Sequence, residues 1–377
     1  MNLELTSEQE MLRDTAQKFF RKECPYGRVK ELEESESGYD HGLWKKMADL
    51  GWLGMLFPEE YGGYGGQFMD AVVIQEEIGK AVFPSPFLST VILCGLILRE
   101  GGSEEQKRDL LAKIAEGNLI LALAQYEEDG SYLPSGIQMK AQVEDDHFVL
   151  SGTKMFVLDA NIADGLIVAA RIAHGGITLF LVDAKAQGVT CTKMPTIARD
   201  NTCEVVFDRV RVPKDDVIGT VGKGWELLER VFPMAIVAKC AEMVGGSRAC
   251  IDMTAAYAKE REQYGRPIGG YQIIQHYMAN MLLAYDTAFN YLYRVAWMAD
   301  EGLDLATEAS ALKACVNENF KFISERAVQI HGAIGTTREA DIGLFYRRAK
   351  SFEYVMGDTE YHQERVFDTL LKKVPGI

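Results

Sequence analysis

The apolar period of this chain changes twice, and that change limits the fold more than any single motif. From residue 119 onward, short apolar and β-branched runs alternate with turns, at 147–150, 154–158, 165–171, 177–182 and 204–212. On both sides of this block the apolar spacing is three and four, as helices require. Within the last run, Val206, Asp208, Val210 and Val212 are expected on one strand face. Phe207, Arg209 and Arg211 then share the other, and Pro213 ends the strand. The pattern predicts an α+β protein with a compact antiparallel β-domain between two helical ones. The expected boundaries are 1–118, 119–224 and 225–377.

The helical parts carry their own punctuation. Ser7 and Glu10 are expected to form a capping box, with Leu12, Ala16, Phe19 and Phe20 on one face. A second helix is expected over 43–50, ending at Gly51, and 58–66 is rich in turn residues. Helices are expected again at 70–80, 88–99 and 103–117. Beyond Gly224, the segments 225–259 (interrupted at Pro233), 271–301, 307–330 and 359–373 are long enough for a helical bundle. Gly219, Gly222 and Gly224 are spaced wrongly for a phosphate loop and read as a strand-to-helix turn.

Charge and cysteine usage narrow the function classes. Lys plus Arg is 40 against 55 Asp plus Glu, a net charge of −15, which argues against general binding to nucleic acid or anionic membranes. The seven cysteines are spread from 24 to 315 without a C-x-x-C, so a disulfide framework or zinc ribbon is not expected. No H-x-x-x-H pair suggests a metal. The start of the chain lacks a basic, apolar leader, and 92–98 is too short to span a bilayer. A soluble, cytoplasmic protein in a reducing compartment is the expectation.

Five segments, in order, resemble the flavin-dependent acyl-CoA dehydrogenase family. They are GWLGMLFPEEYGGYG at 51–65, FVLSGTKMFVLDA at 148–160, FDRVRVPKDDVIG at 207–219, REQYGRPIGGYQIIQHYMANM at 261–281 and AVQIHGAIGTTRE at 327–339. The resemblance implies an N-terminal helical domain, a middle β-domain and a C-terminal four-helix-type bundle. It also implies a tetramer, homo- or heteromeric, with FAD between the β-domain and the bundle. An acyl-CoA substrate and electron-transfer flavoprotein as acceptor follow from the same resemblance. It assigns Arg261 and Gln272 to a grip on FAD across a subunit interface, where an arginine fork suits a pyrophosphate. Tyr264 takes the aromatic position of that motif, packing either on the cofactor or in the core. Gln329 and Gly332 match the segment that meets the ribityl-adenosine part, and Phe156 the aromatic that covers the flavin face. The family's flavin loop is replaced by LALAQYEEDGSYLPSG at 121–136. There Gln125 and Tyr126 stand near the flavin-contacting positions, only Gly130 and Ser131 survive, and Glu127 is one place out of register. Leu158 stands where the family often has a flavin-facing Thr.

The family reaction passes a proton from Cα to a carboxylate and a hydride from Cβ to the flavin. Both positions where the family carries that carboxylate are empty here. Counting from Gln329 puts one at Met356; counting back from Tyr264 puts the other at Ala235. Glu242 lies two helical turns beyond Ala235, on a face with Ala238, Lys239, Gly245 and Gly246. It is either the base, in space left by small residues, or the ion-pair partner of Lys239. Asp358 is either a second candidate base or the cap of the following helix. Three functions remain open at this stage: dehydrogenation of an unusual acyl-CoA (cyclic, branched or steroid-like), a half-site subunit beside a catalytic chain, and another flavin chemistry such as an oxidase.

Overall fold

The computed structural model describes residues 3–172 and 175–373. The helical opening is α1 (Ser7–Glu23), α2 (Tyr26–Glu34), α3 (His41–Asp49) and α4 (Phe68–Ala81). The capping box at α1 sits one residue earlier than expected. Thr6 caps, and Gln9 closes the box, because the Thr6 hydroxyl reaches the Gln9 amide. α5 (Gly95–Gly101) follows a π-type turn at Phe87–Cys94. α6 (Glu104–Gln106) and α7 (Ala112–Ala115) are joined by another, and Ser103 caps them with Gln106.

The strands are β1 (Leu121–Ala124), β2 (Lys140–Glu144), β3 (His147–Leu158), β4 (Gly165–Ile172), β5 (Gly175–Asp183), β6 (Val189–Lys193), β7 (Thr202–Pro213) and β8 (Val217–Ile218). They pair in the order β6-β7-β3-β2-β4-β5-β8, with β1 on β4. The sheet is mainly antiparallel, but β1 and β2 both run parallel to β4. The two runs expected at 147–150 and 154–158 form one strand that carries register shifts against β7. The even–odd pattern expected for 204–212 does not hold along β7. Cys203, Val205 and Phe207 are buried, and then Val210 and Val212. Arg209, with φ of +52°, lies beside one of these register shifts, where an extra residue moves the inward face from odd to even positions.

The rest of the chain is α8 (Gly224–Glu260), the short hairpin strands β9 (Glu262–Gln263) and β10 (Arg266–Pro267), α9 (Gln272–Asp300), α10 (Ala306–His331), α11 (Ile342–Phe352) and α12 (Thr359–Lys373). Pro233 does not interrupt α8. It removes the donor for the carbonyl of Glu229, an exposed residue, while Leu227, Leu228, Val231 and Ala235 stay buried around it.

Two compact units result. One comprises Met1–Lys30, Phe68–Phe83 and Ile236–Ile377; the other Glu31–Gln67 and Pro84–Ala235. In the first, α4 crosses α8 with backbone against backbone. A Cβ on Gly79 would collide with the carbonyl of Glu242, and one on Gly245 with the carbonyl of Glu76. Asp300 at the end of α9 accepts from the Phe68 and Met69 amides that open α4. In the second unit the sheet core is built from residues such as Leu150, Val168, Phe180 and Val205.

Candidate functional site

The second unit holds one group of predicted residues. Lys154, in β3, is fully buried. Its Nζ donates to Glu127 Oε1 at 2.7 Å and to the Gln125 carbonyl at 3.2 Å. Glu127 Oε1 also accepts from the Gln138 and Met139 amides at 3.0 and 2.9 Å. The out-of-register Glu127 therefore organises the loop between β1 and β2. Burial lowers the Lys154 pKa, and the Glu127 charge opposes that shift. Sequence reasoning missed this pair. The signal was a lysine within an apolar strand, a position that needs a partner.

Around this pair, the Met155 amide donates to the Tyr126 carbonyl at 2.9 Å. Phe156 follows at φ +57°, within a register shift of β3, and its side chain is 43% exposed. Gly130 lies against the Phe156 ring: a Cβ there would find only that ring, 3.9 Å away. Tyr126 meets Tyr132 edge-on, with centroids 5.8 Å apart. Gln125 is buried, and its Oε1 has no hydrogen-bond partner among the described residues. A presented aromatic face, an open glycine loop and an orphaned polar atom are the features a flat, polar-edged ring system would use.

The first unit holds the others. Arg261 follows the last residue of α8, and its side chain is exposed with no partner among the described residues. Tyr264 forms the tip of the β9–β10 hairpin at φ +51° and is 95% exposed, so the core-packing alternative for it is excluded within this chain. Gln272 opens α9, exposed. Gln329 is exposed in the last turn of α10, and Gly332 follows that helix at φ +68°. Tyr257 of α8 stacks on His331 of α10 at 4.3 Å, which brings these two helix ends together. The free Arg261 fork and the exposed Gln272 and Gly332 fit a dinucleotide's phosphates and ribose.

Glu242 Oε2 is 2.8 Å from Lys239 Nζ; its Oε1 has no partner among the described residues. Lys239 is buried, and its ammonium lies over the Phe352 ring, 3.0 Å from the centroid. The small-residue face at Gly245 and Gly246 is filled. The α4 backbone occupies the first position, and a Cβ on Gly246 would meet the Phe320 ring. Asp358 Oδ1 accepts from the Tyr361 amide at 2.9 Å, which is a cap on α12. Met356 is buried at φ +64°. A cavity of about 710 Å³ opens among α1, α4 and α8, with Arg21, Lys80 and Arg248 in its lining. None of the predicted site residues lines it.

Comparison with known proteins shows the family and the fold. Models of the acyl-CoA dehydrogenase N-terminal, middle and C-terminal domains match residues 6–118, 122–210 and 222–371. Probable acyl-CoA dehydrogenase YngJ of Bacillus subtilis is 32% identical, over 99% of this chain and 100% of its own length. Butyryl-CoA dehydrogenase from Megasphaera elsdenii superposes with a TM-score of 0.91 at 27% identity, covering 98% of this chain and 100% of that one. A chain from a structure of the electron transferring flavoprotein of Acidaminococcus fermentans gives 0.92 at 28% identity, covering 99% and 100%. The chain belongs to the acyl-CoA dehydrogenase family, a family of oxidoreductases. Among the described residues, no helix is long and apolar enough to cross a membrane, and no His, Cys, Asp and Glu group could hold a metal.

Proposed function

We propose that this chain is an FAD-dependent oxidoreductase acting at the Cα–Cβ bond of an acyl-CoA thioester. The observation that carries the reading is Phe156, an aromatic held at positive φ and partly exposed beside a loop fixed by Lys154 and Glu127. FAD, when bound, supplies the two-electron acceptor. Phe156, Gln125 and Tyr126 would line its ring system, and Arg261, Tyr264, Gln272, Gln329 and Gly332 its dinucleotide end. A homo- or heterotetramer would also cover the exposed Tyr264, Ile273, Leu282 and Leu283. Electron-transfer flavoprotein is the proposed acceptor, and a cytoplasmic setting suits seven free cysteines.

Glu242 is the first candidate base, because one carboxylate oxygen stays free of Lys239. Asp358, already a helix cap, is the second. Displacement of the base from both usual positions supports an unusual acyl group, cyclic, branched or steroid-like. A second reading, a half-site subunit beside a catalytic chain, is favoured by one observation: Met356, at the loop position of the family base, is buried and cannot take a proton.

The test is anaerobic mixing of flavin-loaded protein with a panel of acyl-CoAs, followed in the flavin band. Bleaching is expected. Glu242→Gln should keep flavin and thioester but lose bleaching, with Asp358→Asn as the parallel variant. Normal bleaching in Glu242→Gln removes Glu242. Arg261→Ala should weaken FAD retention by the ~1.5–3 kcal/mol of a charge-assisted contact. Colourless protein whose melting temperature ignores added FAD would sink the whole reading.

A further inference from the structure

The 352–358 loop is held from below by two buried basic side chains on different helices. Lys313 of α10 is fully buried, and its Nζ donates to Asn317 Oδ1, to the Phe352 carbonyl at 3.0 Å and to the Glu353 carbonyl at 3.2 Å. His362 of α12, also fully buried, meets the Met356 carbonyl through Nε2 at 3.1 Å. That carbonyl accepts, so Nε2 carries a proton, and burial, which pushes the ring's pKa down to about 3, keeps it neutral. Gly357, at φ +119°, gives His362 room: a Cβ there would collide with Nε2. Three loop carbonyls are therefore fixed by side chains, in a segment with little secondary structure of its own.

We propose that Lys313 is the positioning residue of the 352–358 loop, its ammonium pinning the Phe352 and Glu353 carbonyls so that the loop presents a fixed wall to an acyl-CoA thioester. The thioester part rests on the proposed function; the pinning does not. An ammonium has three N–H groups for its three acceptors, whereas a neutral amine has two and must release one. The groups facing Lys313 are Lys239 and Cys240 from α8, Glu353 and Asp358 from the loop, and Asn317 on its own helix; its charge also acts on His362 of α12. Burial is the largest influence and brings the Lys313 pKa down to about 7, with Lys239 adding to the fall and Cys240, Glu353 and Asp358 opposing it. His362, pushed down to about 3 by burial and then by Lys313, stays neutral throughout and does not titrate with it. The loop is thus pinned below neutral pH and loosened above it.

Amide hydrogen exchange over 352–358, corrected for intrinsic rates, tests the pinning at pH 6 and pH 9. Wild-type protection should fall at least about ten-fold between the two, as expected for loss of one hydrogen bond to a charged donor. Lys313→Met should give low protection at both pH values, with no pH step. A flat wild-type profile, or wild-type protection in Lys313→Met, overturns the proposal. If Lys313→Met does not fold, the wild-type step decides alone. Butyryl-CoA titrated into wild-type protein at pH 6 and pH 9 tests the thioester part. Tighter binding at pH 6, with added loop protection, supports it. Binding independent of pH leaves the pinning but overturns the wall. No binding of butyryl-CoA or of any acyl-CoA in the panel removes the proposed function, and the pinning is then judged on exchange alone.

Discussion

Two loops of this molecule are each held by a fully buried lysine that donates to main-chain carbonyls, and the two lysines differ in what faces them. Lys154 has the Glu127 carboxylate at 2.7 Å. Lys313 bonds only neutral oxygens, two carbonyls and an amide. Burial lowers the pKa of both; at Lys154 the Glu127 charge opposes the fall, while Lys313 is brought down to about 7. A counter-ion within contact distance opposes the loss of charge that burial favours more strongly than distant carboxylates such as Asp358 do. The first loop, beside Phe156, is built to be permanent. The second, at 352–358, is built to respond.

The strongest way to break this contrast is to remove the counter-ion. Glu127→Ala leaves Lys154 buried without its partner and should cost ~3–5 kcal/mol, read as a lower urea midpoint. The Gln138 and Met139 amides lose their acceptor at the same time, so the 125–139 loop should lose exchange protection first. A midpoint within error of wild type would show that the pair does not hold the loop.

A smaller effect sharpens the other side. The folded pKa of Lys313 lies below its unfolded value of 10.5. Between about pH 7 and 10.5 the unfolded chain therefore binds the extra proton, so this group's contribution to stability rises with pH across that window. Below pH 7 both states are charged and the contribution is lowest. The unfolding free energy of wild type relative to Lys313→Met should climb from pH 7 to pH 9. A constant difference would contradict the titration. The same rise does not conflict with looser pinning, since it reports the whole fold and exchange reports the loop.

Much of the architecture was legible because helix and strand periods are local. The cap at Ser103 and the switch of period near residue 119 need only neighbouring residues to read, while the cap of α1 was expected at Ser7 and stands at Thr6. What escaped was long-range. Nothing near Glu127 announces Lys154 as its partner, because the contact depends on how β3 lies against the loop. The small residues around Glu242 suggested space for a ligand, but spacing cannot say whether such space is filled, and at Gly245 it is taken by the backbone of α4. Lys313 and His362 drew no notice in the sequence, where their helices show only as bundle-length segments. Only the packing of α8, α10 and α12 shows them buried.

The smallest expected effect concerns the cap on α12. Asp358→Ala removes the cap on α12 and should cost ~0.5–2 kcal/mol, read in the melting temperature. Asp358→Asn, which retains a capping oxygen, should cost less. If the two variants melt alike and well below wild type, the charge itself is needed at that position.

The crossing of α4 and α8 through Gly79 and Gly245 bears on the order in which the molecule assembles. The two helices are far apart in the chain, and the second unit is complete at Ala235, before most of α8 has been made. During synthesis α1 and α4 therefore wait without the surface that covers them. The carboxylates of Glu76 and Glu77, buried in the finished protein, meet the Tyr293 hydroxyl of α9 and the Gln17 amide of α1, so Glu76 gains its α9 partner only late in synthesis. α4 carries both of these charges on its future inner side, and burying a carboxylate before its partners are in place is costly. α4 thus reaches its final packing against α8 only across a long loop, whose closure carries an entropic cost that grows slowly with its length.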